Sequence, residues 1–153
     1  MRKIIYIIVI VILMIACYLP FKNIDKKVDV HIMKNKVSEL VKNREFKEED
    51  TKFIRRQYRL SKSDYQDMIC FGPPSAMEVN ELTVVKVVDD KQKNHIYEQL
   101  QKRLDQQLEN FQGYAPRQAD LLKRGLLYKK GDYVILIVHE DAQQLKQKIN
   151  ALF

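Results

Sequence analysis

The chain has 153 residues, 46% of them hydrophobic, which is enough for one domain with a real core. It carries a formal net charge of +7 and only 4 Gly, 4 Pro and 2 Cys. Those counts exclude a collagen-like or low-complexity chain and a disulfide-built scaffold.

The chain opens Met1-Arg2-Lys3 and then runs uncharged from Ile4 to Leu19, ahead of Pro20. Ile and Val fill positions 4 to 12 except for Tyr6. A helix this apolar on all sides does not suit a small domain, where a polar face is needed. As a helix it would reach roughly 24 Å, a little short of the ~30 Å hydrocarbon core. Residues 1–20 therefore read as a signal, a lipoprotein signal or a membrane anchor (a transmembrane helix), outside the fold. In Met14-Ile15-Ala16-Cys17 a small residue precedes a cysteine, which makes Cys17 a candidate lipid-attachment residue. Met14 and Tyr18 suit such a signal less well than Leu and a small residue would, and an uncleaved anchor stays open beside it. The short basic tail before the apolar stretch favours a domain on the extracytoplasmic side of the cell membrane.

Residues 21–28 read as a linker and 29–153 as a single α+β domain. Between Phe21 and Ser63, 13 basic residues stand against 7 acids, whereas from Asp64 onward the balance is 12 to 13. The positive excess thus lies beside the apolar segment, where each Lys or Arg near an anionic surface gains about 1 kcal/mol. A solvated basic helix and loop accounts for the same run.

Met33, Val37, Leu40 and Val41 recur at helical spacing and predict a helix from Asp29 to Lys42. Glu48-Glu49-Asp50 ahead of Phe53-Ile54 suit the start of a short helix. Tyr65 to Phe71 reads as a strand closed by Gly72-Pro73-Pro74, and Glu81 to Val88 as a second, rich in Val and Thr. Asp89 or Asp90 caps the longest helix, whose stripe is Ile96, Leu100, Leu104, Leu108 and Phe111, with Gly113 as its stop. Pro116 starts a short helix through Arg124. Leu126 to Lys130, Gly131-Asp132 and Tyr133 to His139 form a hairpin, and Ala142, Leu145, Ile149 and Leu152 a last amphipathic helix. The predicted fold is α+β: a four-stranded antiparallel sheet in ββαββα order, packed by helices on one face and preceded by an N-terminal helix.

The second half resembles an uncharacterised bacterial family, domain of unknown function 4358, whose members are often short lipoprotein-like proteins of Gram-positive bacteria. The residues that carry the resemblance are Tyr58-Arg59-Leu60 ahead of Asp64-Tyr65, Met77 to Asp90, Arg103-Leu104 through Asn110-Phe111, Gly113-Tyr114-Ala115-Pro116, and Gly131 to Ala142. Their order and spacing matter more than any one motif. The resemblance implies an anchored, extracytoplasmic protein and supplies no activity, substrate or catalytic residue.

Candidate chemistry is sparse. Cys70 with His95 or His139 would be a nucleophile and base, but Cys70 lies between Ile69 and Phe71, where a Cys is usually a small core residue. His31, His95 and His139 are scattered, with no ligand spacing for a metal. No GxGxxG or GxxxxGK loop occurs, and no cofactor is expected. Tyr114 and Pro116, an aromatic beside a proline, form a weak candidate binding surface or else a packed corner. Arg55, Arg56 and Arg59 are a second weak surface, and no nucleic acid is expected there. The reading is a non-enzymatic, membrane-tethered extracytoplasmic interaction domain contacting an envelope protein or an anionic polymer or lipid. A small thiol enzyme using Cys70 and a cytoplasm-facing nucleic-acid binder are the alternatives.

Overall fold

The computed structural model describes residues 30–42 and 44–153. The expected signal or anchor at 1–20, the linker at 21–28 and Cys17 lie outside the described residues. No helix among the described residues is long and apolar enough to cross a membrane.

The elements run α1 (Val30–Val41), β1 (Lys47–Glu48), α2 (Thr51–Tyr58), a 3-10 turn (Lys62–Asp64), β2 (Asp67–Gly72), β3 (Glu81–Lys86), α3 (Asp90–Phe111), α4 (Pro116–Lys123), β4 (Leu126–Lys130), β5 (Tyr133–Val138) and α5 (Ala142–Asn150). Local chemistry sets several boundaries. The Asp50 carboxylate accepts from the backbone N–H of Lys52 and of Phe53, both at 2.9 Å, and so starts α2. Asp89 does the same for α3 through the N–H of Gln92 at 2.7 Å. Arg59 ends α2 at φ 56°, a left-handed position that glycine usually fills. Gly131 takes φ 51° in the two-residue turn between β4 and β5. Gly113, read as the stop of α3, does not take a left-handed φ; Gln112 caps that helix in an ordinary helical conformation.

The five strands form one sheet in the order β1-β2-β3-β5-β4, with every neighbour antiparallel. The sheet therefore has five strands where four were expected. The extra one, β1, is only two residues long and pairs with Phe71 and Gly72 at the end of β2. A charged dipeptide has no alternation from which a strand could be read.

The helices pack on both faces, not on one. Against one face, carrying Cys70, Val85, Val134, Leu136 and Val138, lie Phe53, Ile54 and Tyr58 of α2, Ile96, Leu100 and Phe111 of α3, and Leu122 of α4. Against the other, carrying Ile69, Phe71, Leu82, Val84, Ile135 and Ile137, lie Met33, Val37 and Val41 of α1 and Ala142, Leu145 and Ile149 of α5. The reason lies in β5: all six residues of YVILIV are buried. A strand with no solvated side must be covered twice. Each Ile or Leu fully buried there contributes roughly 1.5–3 kcal/mol, which one-sided cover would forfeit for half of them.

Candidate functional site

Polar side chains gather in two places. The first is inside the core, beneath α2 and α3. Tyr58, whose helix turns its ring inward, donates from Oη to Glu81 Oε1 at 2.8 Å and lies 2.8 Å from Thr83 Oγ1. Glu81 Oε2 accepts from Nε and Nη2 of Arg103, each at 3.3 Å. The Glu81 and Arg103 side chains are only 4% and 10% exposed. Arg103 is further held by Gln57 Oε1 at 2.8 Å and by the Gln107 amide, its oxygen turned toward the guanidinium. Burial pushes the Glu81 carboxyl up despite the opposing pull of Arg103, and burial raises the Tyr58 phenol well above its ordinary range.

Cys70 belongs to this network, with Sγ 3.6 Å from Tyr58 Oη and 3.5 Å from Thr83 Oγ1. Burial pushes its thiol up to about 12, against the hydrogen bond from Thr83. Such a thiol supplies almost no thiolate near neutrality, and thiolate is the reactive form. Neither histidine considered as its base is there. His95 is exposed on α3, and His139 follows β5 on the opposite face of the sheet.

The second gathering is an open cleft of about 470 Å³ at one end of the sheet. Four segments build its walls: Arg44 and Glu45 after α1, Glu78 to Asn80 before β3, Arg117, Gln118 and Leu121 of α4, and His139 to Asp141 between β5 and α5. The β3–β5 ladder ends at the Glu81–Val138 pair, so Asn80 and His139 face each other one step beyond it. His139 is 8% exposed. Its ring stacks on Phe46 with centroids 5.2 Å apart, and Nδ1 accepts from the backbone N–H of Asp141 at 2.9 Å. With Nδ1 accepting, the neutral ring carries its proton on Nε2, which has no partner among the described residues. Burial and then the Arg44 charge lower the His139 pKa, against the pull of Asp141 and Glu140.

The charges in the cleft are unevenly matched. Arg44 pairs with Asp141 and also donates to Gln144 Oε1 at 3.2 Å and to the Leu40 carbonyl at 3.1 Å. The hydrogen bond from Arg44 holds the Asp141 carboxyl below its ordinary range. Arg117 approaches Glu140 at 3.9 Å. Glu45 receives only the Asn80 amide, at 3.4 Å, and Glu78 Oε2 is buried with no hydrogen-bond partner among the described residues. No group of three or more His, Cys, Asp or Glu among the described residues is placed to hold a metal ion.

Of the residues singled out in the sequence, His139 lines this cleft and Pro116 directly precedes the wall residue Arg117, whereas Tyr114 is not among the lining residues. Tyr114 is 62% exposed and packs on Phe111, and Pro116 opens α4, whose first turn lines the wall. Arg55, Arg56 and Arg59 are exposed along α2 and are not part of it. Arg44, Glu45, Glu78 and Asn80 were not legible as site residues, because they lie on two short segments that the fold, and not chain order, brings together. The family described as Domain of unknown function (DUF4358) matches residues 38–139. No curated protein and no solved structure matches the chain.

Proposed function

The chain belongs to the family described as Domain of unknown function (DUF4358), and from that premise we propose that it is a non-enzymatic binding domain tethered to the cell membrane, with its fold on the extracytoplasmic side. The observation that carries the binding part is the cleft, where four separate segments bring polar groups together around the half-open end of the sheet. The inaccessible, undissociated thiol of Cys70 supports a non-enzymatic role over a thiol enzyme.

The tether rests on the uncharged run from Ile4 to Leu19, with Cys17 as the lipid-attachment candidate or the whole segment retained as an anchor. The basic stretch from Lys22 to Lys62 then lies nearest the lipid, where anionic headgroups or an anionic envelope polymer attract it. The cleft is left for an envelope protein. Mass analysis of the mature N-terminus distinguishes a diacylated Cys17 from an intact Met1. Protease treatment of intact cells tests the topology, and a domain that stays protected until the cells are lysed would overturn the extracytoplasmic placement.

A further inference from the structure

The cleft's chemistry narrows its ligand, on the reading that this is a binding domain. Both guanidiniums in the walls are already engaged by carboxylates, Arg44 by Asp141 and Arg117 by Glu140. Two acids remain without an ion-pair partner among the described residues, Glu45 and Glu78. Within a chain of net charge +7 this is a locally acidic concavity, and it attracts positive charge from solution. A carboxylate oxygen shielded from water without a hydrogen bond is costly, and Glu78 Oε2 is in that condition. A cation in the cleft offsets that cost through its charge beside the Glu78 carboxylate, and a charge-assisted hydrogen bond adds to this if the carboxylate turns toward it.

The surroundings distinguish an organic cation from a metal ion. The acids and the histidine of the cleft are not placed to hold a metal ion together, and two exposed apolar side chains lie close in the chain to its wall residues. Met77, next to Glu78, is 61% exposed, and its carbonyl accepts from Gln118 Nε2 at 3.4 Å, which ties this loop to α4. Tyr114 stands exposed just before α4. Thioether and phenol ring are suitable cover for the aliphatic stem of a long basic side chain, and the ring face also attracts its charged head.

We propose that the cleft receives an arginine or lysine side chain of a protein partner, with Glu78 as the principal acceptor, Glu45 as the second charge, and Met77 and Tyr114 along the stem. The test uses the full chain in zwitterionic detergent micelles and follows the NMR signals of Glu78, Asn80 and His139. Three probes are titrated: N-acetyl-arginine amide, its neutral isostere N-acetyl-citrulline amide, and inorganic tripolyphosphate. Saturable shifts are expected with the arginine probe, with affinity at least about tenfold above that for citrulline, and Glu78→Gln should weaken arginine binding by about tenfold. Glu45→Gln provides a second variant with a smaller loss should Glu78→Gln not fold. Equal binding of citrulline, or full binding by both variants, overturns the cationic assignment. Binding of tripolyphosphate alone also overturns it while leaving a binding cleft in place. Absence of saturable shifts with all three probes overturns the cleft as a binding site altogether.

Discussion

Replacing Arg103 by Met should expose how the buried polar network is balanced. In the native protein Glu81 has one oxygen held by Tyr58 and the other by Arg103, and both partners of the ion pair are almost wholly buried. Met keeps much of the aliphatic bulk of Arg103 but leaves Glu81 Oε2 buried without its cation. Breaking a buried pair from one side costs about 3–5 kcal/mol. For a domain of this size that lowers the melting temperature by roughly 10–20 °C. Burial already raises the Glu81 pKa with Arg103 opposing it, so losing Arg103 raises it further. A carboxyl whose folded pKa is raised favours the folded state while protonated. The penalty therefore grows as pH rises above the unfolded value near 4.5, and shrinks again in acid. Urea unfolding of wild type, Arg103→Met, Glu81→Gln and the double variant at pH 5 and pH 8 completes a double-mutant cycle. The double variant should be more stable than Arg103→Met alone, by about 1–3 kcal/mol, with the gap widest at pH 8. A double variant no better than Arg103→Met, or a deficit equal at both pH values, would refute the reasoning.

Arg59→Gly should stabilise the domain by about 0.5–1 kcal/mol, since Gly relieves the left-handed backbone at φ 56°; a urea midpoint that falls instead would contradict this. Gly72→Ala should destabilise by about 1–3 kcal/mol, because the added methyl would meet Glu49 Cγ at 2.9 Å and the Phe53 ring at 3.0 Å; a neutral melting shift would show that both neighbours yield freely. The imidazole of His139 should titrate below its ordinary 6.5. A histidine with a depressed folded pKa gives stability that is full above 6.5 and lost as pH falls through the folded value, and His139→Gln should remove that loss. An NMR titration midpoint at or above 6.5 would contradict it. Cys70 should resist thiol reagents in the native state and react only on unfolding, as a Cys17→Ser variant read by intact mass would show.

Strong periodicity made much of the fold legible. The α1 stripe, the Val-rich β3, and the β4–β5 hairpin with its Gly131 turn all appear where the sequence places them. The two-sided cover of the sheet was written in the unbroken YVILIV of β5, since a strand apolar on both sides needs helices on both. The five apolar positions read along α3 describe only part of its inner face. Ile96, Leu100, Arg103, Gln107 and Phe111 are the buried set, and their spacing of four, three, four and four is a regular helical stripe. Arg103 and Gln107 were passed over because their chemistry suggests solvent, although their register places them inside. The cleft was hidden for a different reason. Its charged residues come from four segments far apart in the chain, and the register that sets Asn80 opposite His139 draws two of those segments together.

That register also governs when the molecule can come into being. β5 is the last strand in chain order, yet it sits inside the sheet, between β3 and the edge strand β4. Until residues 133–138 are available, β3 has no neighbour on that side and β4 has no partner among the described strands. A nascent or threading chain can thus pair β2 with β3 early but completes the sheet only in a late, long-range step, the kind of contact that makes folding slow. Premature truncation anywhere before Tyr133 should leave a loose polypeptide instead of a smaller folded one.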